Sequence, residues 1–136
     1  MAGIQAHQIL ATWGEFGDWE KITGGEKSQN QTDYTEAGKK SPIKLAGTFA
    51  VSDVTLERIY DPVREAPIIE YINKFMLGKE TSRVITKKYL NSQMIPSGRT
   101  STYINCQPKS YMLPDGEAGG NNPAMFRVVL GVEDVT

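Results

Sequence analysis

One stretch of this 136-residue chain repeats its apolar residues with a helical period, while most of the rest alternates or turns. Ile68, Tyr71, Ile72 and Phe75 follow the i, i+3, i+4, i+7 spacing of a single buried stripe, widened by Ile69 and Met76. Pro67 lacks an N–H and disfavours helical geometry at Ala66, so it belongs at the first helical position. Glu70 precedes Lys74 in the favoured acid-before-base order, and Gly78 can take the left-handed cap. The spacing therefore predicts one helix over residues 67–77, and the preceding Asp61-Pro62-Val63-Arg64 reads as a type I turn.

Around that helix the period is two. Between Thr48 and Tyr60, Val54 and Leu56 fall on one face, and Asp53, Thr55 and Glu57 on the other. Ser82 to Leu90 alternates weakly, with Arg83, Ile85, Lys87 and Tyr89 opposite Val84, Thr86, Lys88 and Leu90. Thr100 to Leu113 carries Tyr103, Ile104, Cys106, Tyr111 and Met112, and Pro108 marks a bulge or a break in it. In the last strand, from Met125 to Val135, Phe126, Val128, Leu130 and Val132 alternate with Arg127, Val129, Gly131 and Glu133. Gly3–Trp13 and Phe16–Ile22 read as two opening strands. The order is strands, helix, strands, and the length suits one domain over residues 1–136.

Gly24 to Lys44 differs in kind, being polar and glycine-rich with Tyr34 its only aromatic. It reads as a long loop with room for a weak hairpin. An unstructured stretch of about 20 residues is rare in a compact domain unless it is functional or disordered, so it is either an interaction arm or plain mobile surface. Glu26, Asp33 and Glu36 against Lys27, Lys39, Lys40 and Lys44 leave it without a dedicated nucleic-acid patch.

The chemistry-bearing residues are sparse. Fifteen Lys and Arg against sixteen Asp and Glu give a net charge of −1, too little to gather a polyanion by a global field. His7 is the single histidine and Cys106 the single cysteine, so a multi-imidazole metal site, a Cys-rich zinc site and an intrachain disulfide all lack their residues. Gly116, Gly119 and Gly120 are followed by no Gly-Lys-Ser or Gly-Lys-Thr and precede a strand, which does not make a phosphate loop. The expectation is a non-enzyme with no cofactor and no membrane partner. No signal peptide or apolar span is evident, so the chain is expected to be made in a cytoplasm.

The run Val51-Ser52-Asp53-Val54-Thr55-Leu56-Glu57-Arg58, followed by Tyr60-Asp61-Pro62, Arg64, Ala66-Pro67 and an apolar helix, resembles the tail tube proteins of bacteriophages. Tyr111-Met112-Leu113-Pro114-Asp115-Gly116, a Gly and Asn loop and the strand Met125 to Val132 resemble that family's closing hairpin. The resemblance covers residues 46–135, and the type VI secretion tube protein shares the same plan. It implies a mainly β fold, a β-sandwich or partial barrel with a flanking helix. It further implies hexameric rings that stack into a hollow virion tail tube for DNA delivery. The partners would be other copies of the chain and the sheath or baseplate, terminator and tape-measure proteins, with DNA met only in transit.

On that reading Asp53, Thr55 and Glu57 are candidates to line the lumen, where carboxylates would keep DNA from adhering; the alternative is that they are ordinary solvent surface. Glu26, Lys27, Asp33, Tyr34, Glu36, Lys39 and Lys40 are candidates for ring-to-ring stacking, and deleting residues 26–40 should then spare folding but stop polymerisation. Val54 and Leu56 should pack beneath the helix. Two other readings stand: a tail terminator or secretion-type tube protein, and a small-barrel single-strand nucleic-acid binder. The second would use Arg83, Lys87 and Tyr89 with Tyr103 and Tyr111.

Overall fold

A computed structural model describes residues 3–34, 43–96, 98–116 and 119–136. In chain order it contains strands β1 (Ile9–Trp13), β2 (Asp18–Trp19), β3 (Lys21–Gly24), β4 (Lys27–Tyr34), β5 (Ile43–Val51) and β6 (Val54–Ile59). Helix α1 (Pro62–Met76) follows, then β7 (Arg83–Tyr89), β8 (Ser101–Met112), β9 (Met125–Gly131) and β10 (Asp134–Val135). Mainly β with one helix is what the alternation foretold.

Eight strands form one antiparallel sheet in the order β2-β1-β7-β8-β9-β6-β3, with β10 paired to β8, while among the described residues β4 and β5 pair only with each other. The long strand β8 makes the sheet curl. Its first half lies between β7 and β10, and its second half pairs with β9. Between Arg83↔Cys106 and Ile85↔Tyr103 it gains one residue over β7, and there Asn105 takes φ 53°, a left-handed conformation that asparagine tolerates better than most residues. A second irregularity, between Pro108↔Leu130 and Ser110↔Val129, gives β8 an extra residue at Lys109. Pro108 therefore bends the strand without ending it. The outer strands β2 and β3 are neighbours in the chain, and the curl brings β3 back toward β1 and β2 toward β6, leaving a half barrel.

Helix α1 covers the hollow of that half barrel. Ile68 and Ile72 are buried against a core that includes Trp13, Trp19, Leu56, Ile85, Phe126 and Leu130. Tyr71 is buried too, its ring 5.8 Å from Trp13 and 5.1 Å from Phe16, whereas Phe75 is half-buried beside Tyr71. Val54 and Leu56 belong to this core, as their alternation required. Each large aliphatic buried here contributes about 1.5–3 kcal/mol.

The helix begins five residues before its expected start, at Pro62 rather than Pro67. The supposed turn is its N-terminus: the Asp61 carboxylate accepts from the N–H groups of Val63 (3.1 Å) and Arg64 (3.4 Å), and Pro62 occupies the first position. Pro67 then lies in the interior, where its missing N–H faces the carbonyl of Val63; Val63 is 85% exposed, so water can serve that carbonyl. The other end is as expected, with Gly78 at φ 75° and its N–H donating to Phe75 O at 2.9 Å.

The stretch expected as a long polar loop carries a hairpin made of β4 and β5, with a bulge between Gln29 and Gln31. At its root Ser52 accepts from the Glu26 N–H through its hydroxyl (2.8 Å) and donates its own N–H to Glu26 O (3.0 Å). Gly24 enters this root at φ 86°, and a Cβ there would sit 2.0 Å from Asp53 O, so no other residue fits.

Candidate assembly surfaces

The strand face proposed from sequence to line a lumen is not a bare acidic stripe. Thr55 and Glu57 do point away from the core, but Glu57 lies directly opposite Arg127 of β9 and accepts from its Nε at 2.9 Å. Asp53 stands just before β6, and both its carboxylate oxygens accept from Lys109 Nζ, at 3.1 and 2.9 Å. The Lys109 stem reaches it across Gly131, whose missing side chain leaves the path open. The register thus brings a cation to each carboxylate, which spacing within one strand could not reveal.

The stacking candidates divide. Glu26 and Lys27 belong to the hairpin root. Lys27 Nζ pairs with Asp134 at 2.8 Å, donates to Val135 O at 3.4 Å and lies 4.8 Å from the Phe49 ring centroid, tying the hairpin to β10. The hydrogen bond from Lys27, with that from the Val135 N–H, holds the Asp134 carboxyl below the usual carboxylate range. Asp33 and Tyr34 lie in β4 opposite Lys44 and Ile43. Glu36, Lys39 and Lys40 fall outside the described residues.

The most heavily engaged charged group was missed. Arg58 is 2% exposed and Glu65 0%. The Arg58 guanidinium donates from Nη1 to the carbonyls of Phe16 (2.9 Å) and Asp18 (3.0 Å), stacks 4.1 Å over Trp19, and reaches Glu65 through Nη2. Its Nε is buried with no hydrogen-bond partner, and Nη2, though within ion-pair distance of Glu65, is not aligned for a hydrogen bond. Burial pulls the Arg58 guanidinium down against the opposing pull of Glu65. Glu65 accepts from the Asp61 N–H at 2.7 Å and from Arg64 Nε at 2.9 Å. Burial pushes its carboxyl up, but these hydrogen bonds and Arg58 outweigh that and hold it below the usual range. Because β2 and β6 share no backbone pairing, Arg58 clasps the open seam of the half barrel and locks α1 onto it.

At the end of the β6–β9–β8 half-sheet four apolar side chains stand exposed: Ile59, Met112, Leu113 and Met125. The face required of a single-strand nucleic-acid binder is not assembled. Tyr103 is buried, Tyr111 donates to Asn73 Oδ1 at 3.2 Å, Tyr89 pairs with Ser101, and Arg83 stacks on Tyr71 while contacting Glu15 and Glu80. Cys106 is buried, its thiol pushed up to about 11 by burial, and it donates to Tyr103 O at 3.2 Å. His7 is exposed in a short 3₁₀ turn. Among the described residues no group of three or more His, Cys, Asp or Glu could hold a metal ion, and no helix is long and apolar enough to cross a membrane.

No family model matches the chain, and no curated protein matches it. Solved structures do. A chain of the structure of the anti-feeding prophage cap, the tube terminating cap, superposes with a TM-score of 0.86 at 20% identity, covering 100% of this chain and 91% of that one. A chain of the extended sheath–tube complex of the PVC extracellular contractile injection system gives a TM-score of 0.81 at 19% identity, over 98% of this chain and 90% of that one. Hcp1 from Flavobacterium johnsoniae is more distant, at 0.52 and 12%, over 95% of this chain and 93% of that one. At these identities the likeness is one of fold: the chain has the tail-tube-type fold that its sequence resemblance implied.

Proposed function

We propose that this chain is a structural subunit, not an enzyme, that joins copies of itself into hexameric rings within a tail-like injection particle. The observation that carries the reading is the superposition on the anti-feeding prophage cap over the whole of this chain. A surface suited to assembly supports it: among the described residues β2 and β3 each have one edge with no strand partner, and a heterologous contact between such edges closes a ring. Sheath, baseplate and terminator proteins are its further partners in this reading, with the particle as its location and DNA as the cargo passing the bore.

The likeness to a cap favours a second form of the same role, a terminator that makes one ring instead of many. Electron microscopy and sedimentation of the purified protein test both. Stacked rings support the tube, and single rings that do not stack support the terminator. A strictly monomeric species at high concentration overturns both.

A further inference from the structure

The register of the half-sheet formed by β3, β6, β9 and the second half of β8 sorts its charges into pairs. The cations that these strands turn away from the core are Lys21, Arg127 and Lys109. Lys21 faces Glu57 across the β3–β6 pairing and Arg127 faces it across β6–β9, so one carboxylate stands between two cations in a single row. Arg127 Nε closes on Glu57 Oε1 at 2.9 Å, while Lys21 is exposed and has no ion pair of its own among the described residues. Lys109 and Asp53 make the second pair at 2.9 Å, and the Arg127 and Lys109 side chains are both more than half exposed. Between the two pairs runs a row of short uncharged residues, Thr23, Thr55, Val129 and Ser110, which offers a phosphate no cation.

We infer that Glu57 and Asp53 serve this face by neutralising its cations, and that without them the face would hold nucleic acid. The inference rests on the proposed function and deepens it, since DNA is the cargo there and Asp53, Thr55 and Glu57 are the candidates to line the bore. Alternation alone makes the two carboxylates a repulsive stripe. The register gives them a different task, because these strands bring three cations to the face against two carboxylates. A lysine or arginine left unmatched exchanges its small counterions for a phosphate, and such contacts add along a polyanion. Glu57 and Asp53 occupy those cations beforehand with acceptors that are part of the wall. Copies repeated around a bore multiply whatever charge a single copy leaves free. Stability does not account for the arrangement, since ion pairs this open to water contribute little to it.

The test titrates the full chain with a fluorescein-labelled DNA duplex, read by anisotropy over a series of salt concentrations. Asp53→Asn with Glu57→Gln keeps the shape of both side chains and frees Lys21, Arg127 and Lys109. The unmodified chain should bind negligibly, and the double variant about tenfold or more tightly at low salt, its log affinity falling against log salt with a slope steeper by about two to three. Adding Lys109→Gln and Arg127→Gln should remove the gain. If the double variant fails to fold, Glu57→Gln alone serves, with a smaller gain. Pairs that only set strand register predict no change in DNA affinity, so a variant that folds and gains none overturns the inference. Equal binding by the unmodified chain, or a gain that survives Lys109→Gln with Arg127→Gln, overturns it as well. Ring formation is followed separately by sedimentation: an unmodified chain that makes no rings overturns the proposed function, while the titration decides the neutralising role on the subunit itself.

Discussion

At the scale of single residues, Arg58 decides how well the half barrel holds together. Breaking a buried ion pair by removing one partner leaves an unmatched charge out of water, at a cost of about 3–5 kcal/mol. Glu65→Gln should therefore lower stability by about 3 kcal/mol or more, read as a shift of the urea midpoint without a change in slope. In a cycle of Arg58→Met, Glu65→Leu and their double variant, the double should fall short of the sum of the singles by about 1–3 kcal/mol; additive effects would show that the pair is not coupled. The pH sign follows from the depressed Glu65 carboxyl. Its contribution is complete above the unfolded carboxylate value of about 4.3 and disappears as pH falls through the lower folded value. The gap between wild type and Glu65→Gln should thus narrow below about pH 4, and a constant gap would mean that Glu65 does not titrate in that range. Arg58 was missed although it stands in phase with Val54 and Leu56, so that strand alternation carried the signal that points it inward. What could not be read was its partner, because Glu65 joins the buried stripe with Ile68 and Ile72 only once the helix is extended back to Pro62.

Elements were legible where a period was long and ambiguous where proline admits two roles. The stripe from Ile68 to Phe75 fixed the helix and its buried face, and Gly78 its end. Its start was misplaced because both Pro62 and Pro67 can open a helix, and the deciding feature, the Asp61 carboxylate reaching the Val63 and Arg64 N–H groups, is a matter of three-dimensional geometry. Asp61→Ala should therefore cost about 1 kcal/mol, the usual loss of an N-cap. Pro67→Ala should stabilise the protein by about 1–3 kcal/mol by restoring an interior hydrogen bond, as thermal unfolding of the two variants would show; no gain would mean that Pro67 sits without strain. The hairpin changes an expectation as well. Removing residues 26–40 would take β4 away from β5, so that deletion tests the hairpin's folding and stacking at once. Alternation within one strand could not have shown that Asp53 and Glu57 are ion-paired, since Lys109 and Arg127 come from β8 and β9, more than fifty residues away.

For the whole molecule, the division of the strands into a curled sheet and a separate β4–β5 ribbon sets how the chain should behave alone and, on the proposed role, in a ring. An isolated two-stranded hairpin is marginal in water, and this one is tied to the remainder by its root at Ser52 and by Lys27 on β10. Its backbone amides should accordingly exchange hydrogen in the dissociated subunit faster than those of β6 and β9, which are flanked on both sides by paired strands and bury Leu56, Val128 and Leu130. If the hairpin supplies a contact between copies, assembly should slow exchange in β4 and β5 far more than in β6 and β9, which are already protected. Lys27→Ala should speed hairpin exchange in the free subunit and leave the β6–β9 core unchanged, because it breaks the tether and nothing in the core. Equal protection of hairpin and core in the dissociated subunit would show that the chain folds as one cooperative unit and that the ribbon needs no neighbour to complete it.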